Sequence, residues 1–180
     1  MNKSIYRMLA LLSCVAAVGA AEAKELSIYI SADMEGIAGV VSEQQLGPGG
    51  FEYERFREFM TAEVNAAIEG ATEAGATRIV VSDSHGNAQS LLIEKLPAAV
   101  RVVRSFPRPL EMMQGIEDGH FDGAILLGYH TATTNLQGVR AHTISSAKLT
   151  AVRLNGTAVS EAALSSAIAG QFGVPVILVT

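Results

Sequence analysis

The stretch "LSIYISADMEG", residues 26–36, decides the fold. Leu26 to Ala32 is rich in β-branched and aromatic residues and reads as a strand. The apolar run then stops. Two carboxylates follow at alternate positions, Asp33 and Glu35, before Gly36. A strand suited to burial thus ends in paired acids, and what else the chain brings to that edge determines what the acids are for.

Working outward, strands and helices alternate. "YERFREFMTAEVNAAIEGATEAG" (53–75) is a helix in which Phe56, Met60, Val64 and Ile68 recur every four residues. Gly75 stands where a helix end favours a left-handed residue. "RIVVSD" (78–83) is the next strand, and "SLLIEKL" (90–96) reads as a short helix stopped by Pro97. "VRVVRS" (100–105) is a strand, and "LEMMQGIE" (110–117) a helix. "GAILLG" (123–128) is almost wholly apolar, as a central parallel strand should be. In "AVRLNGTAV" (151–159), Asn155-Gly156 between extended runs signals a hairpin. "SEAALSSAIAGQFG" (160–173) is a helix with Ser160 as its cap, and "VPVILVT" (174–180) closes as a buried strand. This order predicts a three-layer α/β/α domain with a mostly parallel sheet plus a β-hairpin. The closing strand reaches Thr180 with neither a polar tail nor a covering helix, so we expect the chain to continue beyond it.

The composition suits such a domain. Of 180 residues, 49% are hydrophobic and 17% charged, enough apolar material for a core. The net charge of −5 and the absence of a basic stripe argue against a nucleic-acid partner. The N-terminus reads as a signal peptide, residues 1–23. "MNKSIYR" carries Lys3 and Arg7, "MLALLSCVAAVGA" is apolar and too short for a stable membrane span, and "AEA" (21–23) fits a cleavage site. Export to the periplasm or the extracellular space follows, with residues 24–180 as the folded domain. "LLSC" (11–14) offers a lipoprotein alternative anchored at Cys14. The folded domain has no other cysteine, so thiolate metal sites and disulfides are excluded.

The polar residues gather at strand ends. Asp33 and Glu35 follow the first strand, Asp83 and His85 ("SDSH") the second, and His130 ("GYH") the central one, while Glu161 opens the helix after the hairpin. Ligand sites of open α/β sheets lie outside the carboxyl ends of the strands. Alternate residues share a face, so Asp33 and Glu35 can reach a common point. Taken singly, each has a plainer role: a solvated loop acid, a turn histidine, a helix-dipole glutamate. Together, two histidines and three carboxylates suit a divalent-metal hydrolase centre with open positions. His120 in "EDGHF" reads as a loop histidine. There is no GxSxG elbow and no HExxH helix, and "GPGG" (47–50) lacks the Lys-Ser/Thr of a phosphate loop, so it reads as a loop at the site rim.

"SADMEG", "SDSHG", "GYH", "AHT" and the hairpin followed by "SE" together resemble the DppA-type zinc D-aminopeptidases, over about Leu26 to Thr180. The resemblance implies an α/β fold, a homo-oligomer, two divalent metal ions per chain (Zn2+) and removal of N-terminal D-residues such as D-Ala from small D-amino-acid-containing peptides. By it, Asp33 bridges the metals, Glu35 and His85 complete one site, His130 and Glu161 the other, and His142 is the additional active-site histidine. That histidine would bind the developing oxyanion or protonate the leaving amine. The segment "TATTNLQGV" (131–139) is more polar than the family's loop, which leaves substrate preference open. Two rival readings remain: an exported α/β solute-binding protein, which metal content would separate, and an inactive metal-binding relative, which turnover would.

Overall fold

The computed structural model describes residues 25–180. The expected signal peptide, residues 1–23, and Cys14 lie outside the described residues. Five strands form one parallel sheet: β1 Leu26–Ala32, β2 Ala76–Asp83, β3 Arg101–Val103, β4 Gly123–Leu127 and β7 Val176–Val179, in the order β3-β2-β1-β4-β7. Two short strands, β5 Arg153–Leu154 and β6 Thr157–Ala158, make an antiparallel hairpin. Its turn places Asn155 and Gly156 at φ 51 and 83, the left-handed pair that a tight hairpin turn requires.

Side-chain alternation along β1 feeds two cores. Ile28, Ile30 and Ala32 join Val81 and Leu127 under helix α1, Tyr53–Glu73. Tyr29 joins Val80, Leu126 and Phe121 on the other face, with Ala169 of helix α2, Glu161–Gln171. Burial on both faces is why the central strands are nearly continuous apolar runs. The four-residue stripe of α1 points inward, and its Met60 and Val64 are fully buried. Each such side chain contributes about 1.5–3 kcal/mol. Helix α1 ends before Gly75 at φ 97, and Ser160 Oγ caps α2 by accepting from Ala163 N at 3.2 Å.

Three expectations are corrected. Residues 90–96 are not a helix beyond one 3-10 turn, Ile93–Lys95. The backbone groups such a helix would need are given to side chains: Leu91 N donates to Asp83 Oδ2 (2.8 Å), and Ser90 O accepts from Arg57 Nε (2.8 Å). Residues 110–117 form two 3-10 turns, Glu111–Met113 and Ile116–Asp118, separated by Gly115 at φ 98. There Met112 O accepts from Ser31 Oγ and Ser84 Oγ, and Gln114 O from Tyr29 OH. The closing strand β7 is not buried. Among the described residues it pairs with β4 alone, and Ile177, Leu178 and Val179 are exposed.

Strand register positions the site. Ala32 lies level with Asp83 on one side and Leu127 on the other, so the three inner strands end together. The loops that follow are laced to one another. Asp33 N donates to Leu127 O, Ser84 N to Ala32 O, and Gly36 N to Gly128 O, each at 2.8 Å. Gly36 and Gly128 permit this approach: a Cβ on Gly36 would lie 2.1 Å from Tyr129 O, and one on Gly128, at φ 70, 2.3 Å from Asp33 O.

Candidate metal centre

The laced loops bring together the side chains that the sequence singled out. His85 Nδ1 lies 3.3 Å from Asp33 Oδ1 and 2.9 Å from Glu35 Oε2. His130 Nε2 lies 3.5 Å from Asp33 Oδ2 and 3.4 Å from Glu161 Oε1. His142 Nε2 lies 3.7 Å from Glu35 Oε1 and 3.6 Å from Glu161 Oε1, and its ring stacks on His130 at 4.0 Å. Asp33, Glu35, His85 and Glu161 are buried. Asp33 therefore belongs to two groups whose ligand-type atoms converge, one with Glu35 and His85 and one with His130 and Glu161. A third convergent group joins Glu35, His130 and His142, so His142 is also within ligand reach.

Each histidine is oriented by a main-chain carbonyl. His85 Nε2 donates to Leu46 O (2.7 Å), His130 Nδ1 to Thr131 O (3.0 Å) and His142 Nδ1 to Arg140 O (2.9 Å). With that proton assigned from the hydrogen bond, the neutral ring keeps its lone pair on the inward nitrogen, the tautomer a metal ligand needs. The carboxylates are held likewise. Asp33 Oδ1 accepts from Met34 N (2.9 Å), and Glu161 Oε1 from Ile144 N (2.6 Å). The second of these bonds ties α2 to the loop that carries His142.

The electrostatics are those of crowded acids sharing protons. Burial, then the neighbouring Glu35 charge, pushes the Asp33 carboxyl up to about 7. Burial would raise Glu35 too, but the hydrogen bond and charge of His85 outweigh it and bring Glu35 to about 2. Burial opposes a charged His85, yet Asp33 and Glu35 hold it well above the ordinary imidazole value. His130, likewise opposed by burial, is lifted to about 9 by Glu161 and Asp33. Asp33 Oδ2 and His130 Nε2 are buried and make no hydrogen bond among the described residues. Two orphaned ligand atoms facing each other in an oxygen and nitrogen donor set fit a divalent ion such as zinc.

Other candidates fall outside the cluster. Asp83 spends Oδ2 on Leu91 N and supports the loop below the site. His120 is exposed and faces Asp122 at 3.4 Å. The segment 47–50, expected at the rim, contributes no residue to the cavity lining; the contact with the site comes from the Leu46 carbonyl just before it. No side-chain pattern announces a carbonyl, so the sequence held no signal for that contact.

Comparison with known proteins agrees with this geometry. A family model described as D-aminopeptidase matches residues 26–180. The D-aminopeptidase of Bacillus subtilis (strain 168) is 36% identical over 157 residues, which is 86% of this chain and 55% of that protein. A solved structure, Zn-dependent D-aminopeptidase DppA from Bacillus subtilis, a self-compartmentalizing protease, superposes with a TM-score of 0.77 at 33% identity, again over 86% of this chain and 55% of that one. The chain thus spans about half the length of these relatives.

Proposed function

The chain belongs to the D-aminopeptidase family, and on that premise we propose that it is an exported metallopeptidase removing N-terminal D-residues, such as D-Ala, from short peptides. Residues 1–23 are its signal peptide, residues 24–180 its peptidase domain, and its working form is a homo-oligomer. One observation carries the reading: Asp33 stands between two histidine–carboxylate sets, one oxygen toward each.

In this reading Asp33, Glu35 and His85 would hold one divalent ion, and Asp33, His130 and Glu161 a second. When bound, such a pair lowers the pKa of a water and polarises the scissile carbonyl. The remaining work falls to the protein. The centre opens on a cavity lined by Asp33, Glu35 and Glu161. His142 lines that cavity with Nδ1–H committed to Arg140 O, so its Nε2 faces Glu35 and Glu161. A neutral His142 presents a lone pair there and donates only once protonated. In that tautomer the neutral ring is not an oxyanion donor through Nε2. It can take a proton during attack and return it to the leaving amine.

Metal analysis of the purified protein, followed by assay on D-Ala-D-Ala and on L-Ala-L-Ala, tests the proposal. We expect about two zinc ions per chain and turnover of the D-isomer alone. A metal-free active protein, or preference for the L-isomer, would overturn it.

A further inference from the structure

The cavity before the metal centre, about 320 Å³, is lined by Asp33, Glu35, His85 and Glu161, and also by Arg108, which the metal reading leaves unused. Arg108 is 8% exposed. Its Nε donates to Glu111 O at 2.9 Å, and its Nη2 to Ser82 Oγ and, at 3.4 Å, to Ser84 Oγ. All these acceptors are neutral; Glu111 offers its main-chain carbonyl, not its carboxylate. Nη1 has no hydrogen-bond partner among the described residues. A guanidinium stays protonated even when buried, and burial of an uncompensated charge is costly. The serines that hold the fork are themselves fixed. Ser84 Oγ meets Ser31 Oγ at 2.8 Å, Ser31 Oγ meets Tyr129 OH at 2.8 Å, and Tyr129 OH meets Ser165 Oγ at 3.1 Å. The guanidinium is thus held beside Ser84, the neighbour of the proposed ligand His85, in a side chain that lines the cavity, with its unpartnered Nη1 buried.

We propose that Arg108 is the anchor for the free C-terminal carboxylate of the substrate, and that it selects peptides short enough to reach from the metal centre to the guanidinium, dipeptides first. The inference rests on the peptidase reading. Asp83 and Glu111 lie within electrostatic reach of the guanidinium, but its hydrogen bonds go to a carbonyl and hydroxyls, so a ligand carboxylate would be its direct charge-assisted partner. The cavity lies at the small end of ligand sites, roughly 300–1,000 Å³, which suits a short peptide.

The test uses a non-hydrolysable pair, so it reads binding whether or not the protein turns over. The reduced-amide isostere of D-Ala-D-Ala, with CH2–NH in place of the peptide CO–NH, is titrated calorimetrically into zinc-loaded protein, beside the same compound as its C-terminal carboxamide. The acid should bind about 10–100-fold more tightly than the carboxamide, the range of a charge-assisted hydrogen bond. That ratio should shrink in Arg108→Lys and approach one in Arg108→Gln, each checked for cooperative melting. A wild-type ratio near one, or a full ratio in either folded variant, overturns the anchor. Wild-type hydrolysis of D-Ala-p-nitroanilide, which has no carboxylate, is measured in parallel. Slow turnover of that compound beside rapid hydrolysis of D-Ala-D-Ala is the anchor's expectation; absence of hydrolysis of D-Ala-D-Ala itself counts against the peptidase reading, while the binding ratio still decides the role of Arg108.

Discussion

Asp33 and His142 differ in what their loss should remove. Asp33 Oδ1 and Oδ2 face His85 and His130 separately, so Asp33→Asn keeps the volume but weakens both halves of the centre. We expect bound zinc to fall from about two to below one per chain by elemental analysis. His142→Ala should keep its zinc and lose about 10²–10⁴-fold in turnover, the usual weight of a general acid–base group. A near-normal rate in that variant removes His142 from the mechanism. Protons compete for the same atoms. His85 and His130 have raised values in the folded protein, His130 near 9, so the stability they contribute is full below the unfolded imidazole value, about 6.5. It is lost as pH rises through about 9. Asp33, also raised, acts in the same direction at lower pH. Chelator-treated protein should therefore melt at a lower temperature at pH 9 than at pH 6, while zinc affinity should increase with pH because binding releases those protons. Calorimetric melting and zinc titration at both pH values check the two signs.

At the scale of elements, the level ends of β1, β2 and β4 assemble the centre, and the contact of Gly36 with Tyr129 locks two of those ends together. Gly36→Ala places a Cβ where the Tyr129 carbonyl sits, so one loop has to move. Overpacking of this kind costs about 1–3 kcal/mol, or roughly 2–10 °C in melting temperature for a chain of this size. The displacement should also lower zinc binding, which an elemental assay of the folded fraction would show. The strands of this frame were legible because burial on both faces writes itself as apolar runs such as "GAILLG". The stripe of α1 and the Asn155-Gly156 turn were legible for equally local reasons. Residues 90–96 and 110–117 were not, because their backbone groups are bound by Arg57, Asp83, Ser31 and Tyr29 from distant parts of the chain. Periodicity carries no record of such partners. The site residues Asp33, Glu35, His85, His130 and Glu161 could be nominated from their place after strands. The Leu46 carbonyl and the buried cation of Arg108 could not, since both acquire meaning only through packing.

For the molecule as a whole, the proposals of export and assembly remain to be measured. Intact-mass analysis of protein recovered outside the cytoplasm should give a mature N-terminus at Lys24; a lipid-modified Cys14 would establish the anchored alternative instead. No helix among the described residues is long and apolar enough to cross a membrane. The edge strand β7 leaves Ile177, Leu178 and Val179 open, beside a groove that reaches the Ala67–Ala71 side of α1. Light scattering on the zinc-loaded protein should give a mass several times that of one chain if the proposed homo-oligomer forms.

The three histidines of the centre are each steered by a carbonyl of the main chain, at Leu46, Thr131 and Arg140. A carbonyl has no codon of its own. A conservative substitution at Thr131 would change the side chain and leave the steering oxygen in place, whereas Leu46 is also a core residue and Arg140, at φ 53, is also constrained by its backbone. Length is another matter: inserting or deleting one residue beside position 46, 131 or 140 would swing the oxygen away and free a ring to rotate. Sequence drift beside these carbonyls should therefore be restricted more tightly in spacing than in identity.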